Sequence, residues 1–67
     1  MGINAIKEKE LDVVKLIADG LVAKEIAKKL GVSVITVNTR KNRAKDKLDA
    51  LNGAHLVSIC YKNKLLK

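Results

Sequence analysis

Two amphipathic stretches near the middle of the chain are separated by only three residues, and this spacing limits the possible folds more than any other feature of the sequence. Ala27 is followed four residues later by Gly31, and Val37 follows six residues after that. A small residue at Ala27 lets two helices cross closely, Gly31 allows a turn through positive φ, and Val37 fills the angle between the helices. The spacing therefore predicts a helix-turn-helix whose turn consists of Gly31, Val32 and Ser33.

Apolar residues recur at helical spacing in four segments, which predicts an all-α fold, a compact four-helix domain containing the helix-turn-helix. We expect Asn4 to cap the first helix, and Ser33 to cap the third by accepting a hydrogen bond from the free amide near Thr36. The sequence has 67 residues with no repeats and no linker, so residues 1–67 are expected to form a single domain. The predicted helices span residues 6–19, 23–30, 34–48 and 54–63.

The charge balance favours a polyanionic partner. The chain has 14 Lys and Arg residues against 7 Asp and Glu, which gives a formal net charge of +7. Five of the seven acidic residues lie at or before Glu25, whereas five basic residues crowd into positions 40–47. Nucleic acid is the commonest polyanionic partner, and an anionic membrane surface is the alternative partner. A third interpretation is that the basic helix has no partner and is simply exposed to solvent. The five basic residues are Arg40, Lys41, Arg43, Lys45 and Lys47.

Several classes of protein are disfavoured by what the sequence lacks. Cys60 is the only cysteine, so an internal disulfide is impossible and a reduced, cytoplasmic location is expected. Cys60 and His55 together fall short of the ligands of a zinc site, and no apolar run approaches the roughly 20 residues of a membrane span. The sequence has no glycine-rich phosphate loop and no paired carboxylates of an enzyme. We therefore expect no metal, no cofactor, no membrane association and no catalytic activity.

Three stretches carry a resemblance to a known family. They are residues 10–21 (ELDVVKLIADGL), residues 24–33 (KEIAKKLGVS) and residues 36–37 (TV), which together resemble the LuxR/GerE-type helix-turn-helix. The resemblance extends from about residue 6 to residue 66 and leaves no room for a receiver or ligand-sensing domain, so the chain is most similar to the stand-alone members. It implies a four-helix domain whose third helix enters the major groove of DNA and whose fourth helix often pairs with a second copy.

The resemblance also implies roles for individual residues, and their chemistry agrees. Asn can pair bidentately with adenine, a Thr methyl can contact the thymine methyl, and Lys or Arg supplies a salt-dependent attraction to phosphate. The residues at the family's base-facing positions are Asn38, Thr39 and Asn42. The residues at or near its phosphate contacts are Lys24, Thr36 and Lys41, to which the basic pattern adds Arg43 and Lys45.

Val34 and Ile35 open the third predicted helix where the family has charged or polar residues. Two interpretations stay open: contact with thymine methyl groups in the major groove, or a protein-binding patch. For Val34, packing against the second helix is a third. We place Ile35 among the base-contacting residues. In the protein-binding alternative, the chain is a module that contacts RNA polymerase or another regulator. The helix-turn-helix at the C-terminus of σ factors has a similar sequence pattern and suggests this role.

The apolar residues of the last predicted helix cover more than one narrow stripe, so they form either core or a homodimer surface. The predicted interface residues are Leu56, Ile59, Cys60 and Asn63. A homodimer would place two copies of the third helix about 34 Å apart, one turn of DNA, and would read a two-fold symmetric site.

Four further positions depart from the usual residues of the family. Lys7 and Val22 stand where the family has capping hydroxyl residues, so each helix start is expected to lose about 1 kcal/mol. Arg40 stands in place of the usual His, and Lys45 in place of an apolar residue. We therefore expect the end of the third helix to fit its neighbours differently.

Overall fold

The computed structural model describes residues 6–66, and within them it has four helices. The all-α, four-helix prediction is confirmed, and every observed boundary lies within two residues of the predicted one. No helix of the described part is long and apolar enough to cross a membrane. The helices are α1 (Glu8–Ala18), α2 (Ala23–Leu30), α3 (Val34–Leu48) and α4 (Gly53–Lys62).

The first two helices begin without a capping hydroxyl, yet a carboxylate three residues into each one satisfies a backbone amide. The N-cap of α1 is Lys7, whose amide donates to Oε1 of Glu10 at 3.0 Å. The N-cap of α2 is Val22, whose amide donates to Oε1 of Glu25 at 2.9 Å. Only the hydroxyl half of a capping box is therefore missing. Asn4, predicted to cap α1, lies outside the described residues.

The turn between α2 and α3 has the predicted conformation. Gly31 lies in the left-handed region, with φ 70° and ψ 33°. An added Cβ would meet nothing within 4 Å, so the backbone conformation and not lack of space requires glycine. The amide of Val32 donates to the carbonyl of Ala27 at 3.0 Å. Oγ of Ser33 accepts from the amide of Thr36 at 3.1 Å, which confirms the predicted cap of α3.

Two groups of buried side chains form the core, and α1 contributes to both. The first group joins α1, α2 and α3 and includes the predicted crossing residue Ala27; the second joins α1, α3 and α4. The first consists of Val13, Ile26, Ala27 and Val37. The second consists of Val14, Ala44, Leu56, Cys60 and Leu66. The helix-turn-helix and α4 are thus held on two sides of one helix.

An ion pair ties the start of α1 to the end of α3. Nζ of Lys47 lies 2.7 Å from Oε1 and 2.9 Å from Oε2 of Glu10, whose side chain is only 4% exposed. Burial alone would raise the pKa of Glu10. Hydrogen bonds from Lys47 and from the amide of Lys7, with the positive charges of Lys47 and Arg43, outweigh burial and hold the pKa below its ordinary value. Glu10 is therefore both a helix cap and an interhelical anchor.

Two of the four predicted dimer-interface residues belong to the core. Leu56 and Cys60 are fully buried in the group that α1, α3 and α4 share, so they have no surface with which to contact a second chain. Their assignment to the interface is wrong. Burial also raises the pKa of the Cys60 thiol, in keeping with an unreactive packing role. Of the other two, Ile59 is partly buried and Asn63 is exposed.

Candidate nucleic-acid interface

One side of α3 is exposed along most of its length. Val37 and Ala44 are buried, and they fix which side of the helix faces the core. Ile35, Thr39 and Asn42 lie on the opposite side at i, i+4 and i+7, and all three are exposed. We call this strip, with the partly buried Asn38 at its edge, the outer face of α3. The structure thus brings the four predicted base-contacting residues together, and their contact with DNA stays a prediction.

The two apolar residues at the start of α3 differ in environment. Ile35 is 78% exposed, whereas Val34 is 40% exposed. Packing within the described residues therefore does not account for the presence of Ile35, because most of its side chain faces solvent. A branched apolar residue so exposed at a helix start is available to bind something outside the domain.

Thr39 has its hydroxyl group engaged within the helix. Oγ1 donates to the backbone carbonyl of Ile35 at 2.9 Å, one turn earlier. The hydroxyl is directed back along the helix by this bond, and the methyl group remains as the other branch of an exposed side chain. Thr39 thus presents an apolar group beside Ile35 on the outer face of α3.

A pair of hydroxyl groups lies at the N-terminus of α3. Oγ of Ser33 and Oγ1 of Thr36 are 2.9 Å apart, and either can be the donor. Whichever donates, the other hydroxyl keeps its hydrogen for an outside acceptor. The positive end of the helix dipole lies at the same place, so the pair suits a phosphate oxygen. Thr36 is one of the predicted phosphate contacts, whereas Ser33 was predicted only to cap α3. The pairing of their two hydroxyl groups was not predicted from the sequence.

The basic residues of positions 40–47 do not all face one way. The ammonium group of Lys47 forms an ion pair with the carboxylate of Glu10. Arg43 is exposed, but its charge lies close enough to lower the pKa of the Glu10 carboxyl. Lys41 is partly buried and, with Asn38, lines a mostly apolar groove of about 250 Å³. Among the remaining predicted phosphate contacts, Lys24 on α2 is exposed and Lys45 is partly buried. The positive charge therefore surrounds the outer face of α3 instead of lying on it.

The outward side of α4 is small and mostly polar. With Leu56 and Cys60 directed into the core, the residues on the opposite side are Ala54, Ser58, Tyr61 and Lys62, all of which are exposed. This surface differs from the predicted one because the apolar pattern alone does not show which stripe of α4 meets α1 and α3.

Comparisons with known proteins cover most of the described residues. The model of the GerE family, described as bacterial regulatory proteins of the luxR family, matches residues 6–60. The Oxygen regulatory protein NreC of Staphylococcus haemolyticus is 43% identical over 61 residues, which are 91% of this chain and 28% of that protein. The same protein of Staphylococcus carnosus gives the same values. That of Staphylococcus aureus strain JH9 is 42% identical over 62 residues, 92% of this chain and 29% of that protein.

The chain therefore spans less than a third of the length of these curated relatives. No solved structure shows a significant match to the chain.

Proposed function

Because the chain belongs to the luxR family of bacterial regulatory proteins, we propose that it binds double-stranded DNA in a sequence-specific way and regulates transcription, with α3 in the major groove. The observation that carries the proposal is the outer face of α3, on which Ile35, Thr39 and Asn42 are exposed in one line beside Asn38. A regulator of transcription acts where the DNA is, so the proposal includes a cytoplasmic location.

The dimensions of this face suit a groove of DNA. Ile35 and Asn42 are seven residues apart, so they span about 10 Å at the helical rise of 1.5 Å per residue. The major groove is about 12 Å wide. Asp46 is the next residue in the same line and is exposed; it lies about 16 Å from Ile35 along the axis, where it would approach the far strand. The base-reading part of α3 is thus its first two turns.

Contacts to the phosphates surround this face. The hydroxyl pair of Ser33 and Thr36 would donate to one phosphate at the N-terminus of α3. Lys24, Lys41, Arg43 and Lys45 would contribute the salt-dependent attraction, aided by the net charge of +7. Lys47 is not among them, because its ammonium group is bound to Glu10.

Pairing of α4 with a second copy is part of the proposal, with a corrected surface. The outward side of α4 offers Ala54, Ser58 and Tyr61. Of the predicted interface residues, Ile59 is partly buried beside the core-facing stripe, and Asn63 is exposed at the C-terminal end of the helix. Such a surface buries little apolar area, so we expect two copies to pair weakly in solution and more firmly on a two-fold symmetric DNA site that holds both.

The test is selection from a random duplex DNA library by the purified protein, repeated over a range of salt concentrations. We expect an enriched two-fold symmetric motif and a steep fall of affinity with salt. Asn42→Ala should lose the sequence preference while keeping the salt dependence, and Lys9→Ala, on the exposed side of α1, is the matched control. Steep salt dependence without any enriched motif would contradict sequence-specific binding.

The exposure of Val34 and Ile35 favours a second candidate function. In this alternative, the start of α3 contacts another protein such as RNA polymerase or a second regulator. Ile35→Glu distinguishes the two: unchanged DNA affinity and unchanged sequence preference in this variant would favour the protein-binding module, whereas weakened specific DNA binding supports the groove contact.

A further inference from the structure

We infer that the half-site read by α3 consists mainly of A·T base pairs and is recognised through the 5-methyl groups of thymine. The inference rests on the proposed function and names the class of DNA that the outer face of α3 fits. Three observations carry it: the apolar groups on this face, the two amides beside them, and the positions of the basic residues.

The apolar groups come from Ile35 and Thr39, which are one helical turn apart. Ile35 is 78% exposed. The hydroxyl of Thr39 is bound to the carbonyl of Ile35 at 2.9 Å, so this side chain offers its methyl group. In the major groove, only thymine presents an apolar group to such a surface. Against a G·C pair, the same side chains would cover the polar atoms of guanine and cytosine without pairing with them, which is unfavourable.

The amides are those of Asn38 and Asn42, which also lie one turn apart and run along one side of the apolar groups. An Asn side chain places a donor and an acceptor side by side, which matches N7 and N6 of adenine. Adenine is the partner of the thymine whose methyl the apolar groups would contact. Both kinds of side chain on the outer face of α3 therefore select the same base pair.

A reader of guanine is missing from this face among the described residues. Guanine is most often read by Arg or Lys through O6 and N7, and none of the four outer-face residues is basic. Lys47 is bound to Glu10, and Arg43 is close enough to the same carboxyl to lower its pKa. Arg40, Lys41 and Lys45 are partly buried and lie outside this face.

The experiment compares two random duplex libraries that differ only in the thymine methyl group: one is made with thymine and the other with uracil. With the thymine library we expect a motif made mainly of A·T pairs. When the uracil base replaces thymine in that selected site, affinity should fall about fivefold or more, because the methyl contacts are lost.

The variant Ile35→Ala completes a thermodynamic cycle with the same two duplexes. It should weaken binding to the thymine site by a smaller factor, because the Thr39 methyl group remains, and it should leave binding to the uracil site nearly unchanged, since the methyl group that Ile35 contacts is already gone. Folding is not at issue, because the Ile35 side chain is mostly in solvent; Lys9→Ala is again the control.

The outcomes separate this inference from the function on which it rests. A reproducible motif of mainly G·C pairs, or equal affinity for the thymine and uracil sites, would overturn the inference and leave sequence-specific binding intact. The absence of a motif in both libraries would overturn the proposed function itself. Loss of binding to a protein partner in Ile35→Ala, with both DNA affinities unchanged, would also overturn the inference.

Discussion

Replacement of Glu10 by Gln tests whether the ion pair between α1 and α3 stabilises this domain. Glutamine keeps an oxygen that can accept from the Lys7 amide, but it removes the charge that faces Lys47 at 2.7 and 2.9 Å. The removal of one partner of a fully buried pair costs about 3–5 kcal/mol. Lys47 is 23% exposed and can turn partly toward water, so we expect a smaller loss, about 2–3 kcal/mol, similar to that of a hydrogen bond to a charged group.

The size of this loss makes it measurable. A chain of 67 residues has a free energy of unfolding of about 3–10 kcal/mol, so the variant should lose a large share of its stability. Urea denaturation followed by helical circular dichroism at neutral pH would give the change directly. The thermal midpoint should fall by about 10–20 °C.

The chain supplies a matched control in Glu25. Its carboxylate accepts from the amide of Val22 at 2.9 Å, as Glu10 does from that of Lys7, but Glu25 is exposed and has no cationic partner among the described ion pairs. Glu25→Gln should therefore cost less than about 0.5 kcal/mol. Equal losses in the two variants would refute the reasoning, because they would mean that the ion pair adds nothing beyond the helix cap.

The effect of pH on the stability of Glu10→Gln relative to the wild-type chain follows from the pKa of Glu10, which the fold lowers below its ordinary value of 4.5. A carboxyl whose pKa is lower in the folded state contributes stability that is fully present above its unfolded value and is lost as pH falls through the folded value. The difference in unfolding free energy between the wild-type chain and Glu10→Gln should therefore be constant near neutral pH and shrink below about pH 4.5. A difference that grows with acidification would contradict this account.

Three further substitutions test separate parts of the fold and the site. Asp49 ends α3 with φ 56° and ψ 39°, so Asp49→Gly should raise the free energy of unfolding by about 0.5–1 kcal/mol in urea denaturation; a decrease would mean that the aspartate side chain stabilises this turn. Lys24→Ala should weaken binding to all duplexes alike and reduce the slope of log affinity against log salt by about 1, and a change in sequence preference would argue against a phosphate contact. Ser58→Arg, on the outward side of α4, should leave helix content unchanged and abolish cooperative binding to a two-fold symmetric duplex in gel-shift titrations; retained cooperativity would exclude this side as the dimer surface.

The helix-turn-helix was predictable because it depends on short-range features. Ala27, Gly31 and Val37 lie within eleven positions, and the close crossing, the positive φ and the buried branched residue follow from their chemistry. The cap of α3 by Ser33 is equally local. The GerE family match over residues 6–60 confirms the resemblance that these residues carry.

Features that depend on long-range contacts were not predictable. Glu10 and Lys47 are 37 positions apart, and each reads in sequence as an ordinary surface charge. Leu56 and Cys60 were assigned to a dimer surface because α4 has apolar residues on several sides, including the partly buried Val57 and Ile59. Only the packing of α4 against α1 and α3 selects the buried stripe, and that packing is set by residues elsewhere in the chain.

The position of α1 between the two core groups bears on how the domain opens in its native state. Val13 belongs to one group and its neighbour Val14 to the other, so α1 cannot separate from one group without exposing the other to water. Local opening of the helix-turn-helix alone is therefore costly, and amide hydrogens in α1, α3 and α4 should exchange with solvent through a common, global unfolding event. For a chain of this size, such cooperativity keeps the first turns of α3 in a single orientation between unfolding events.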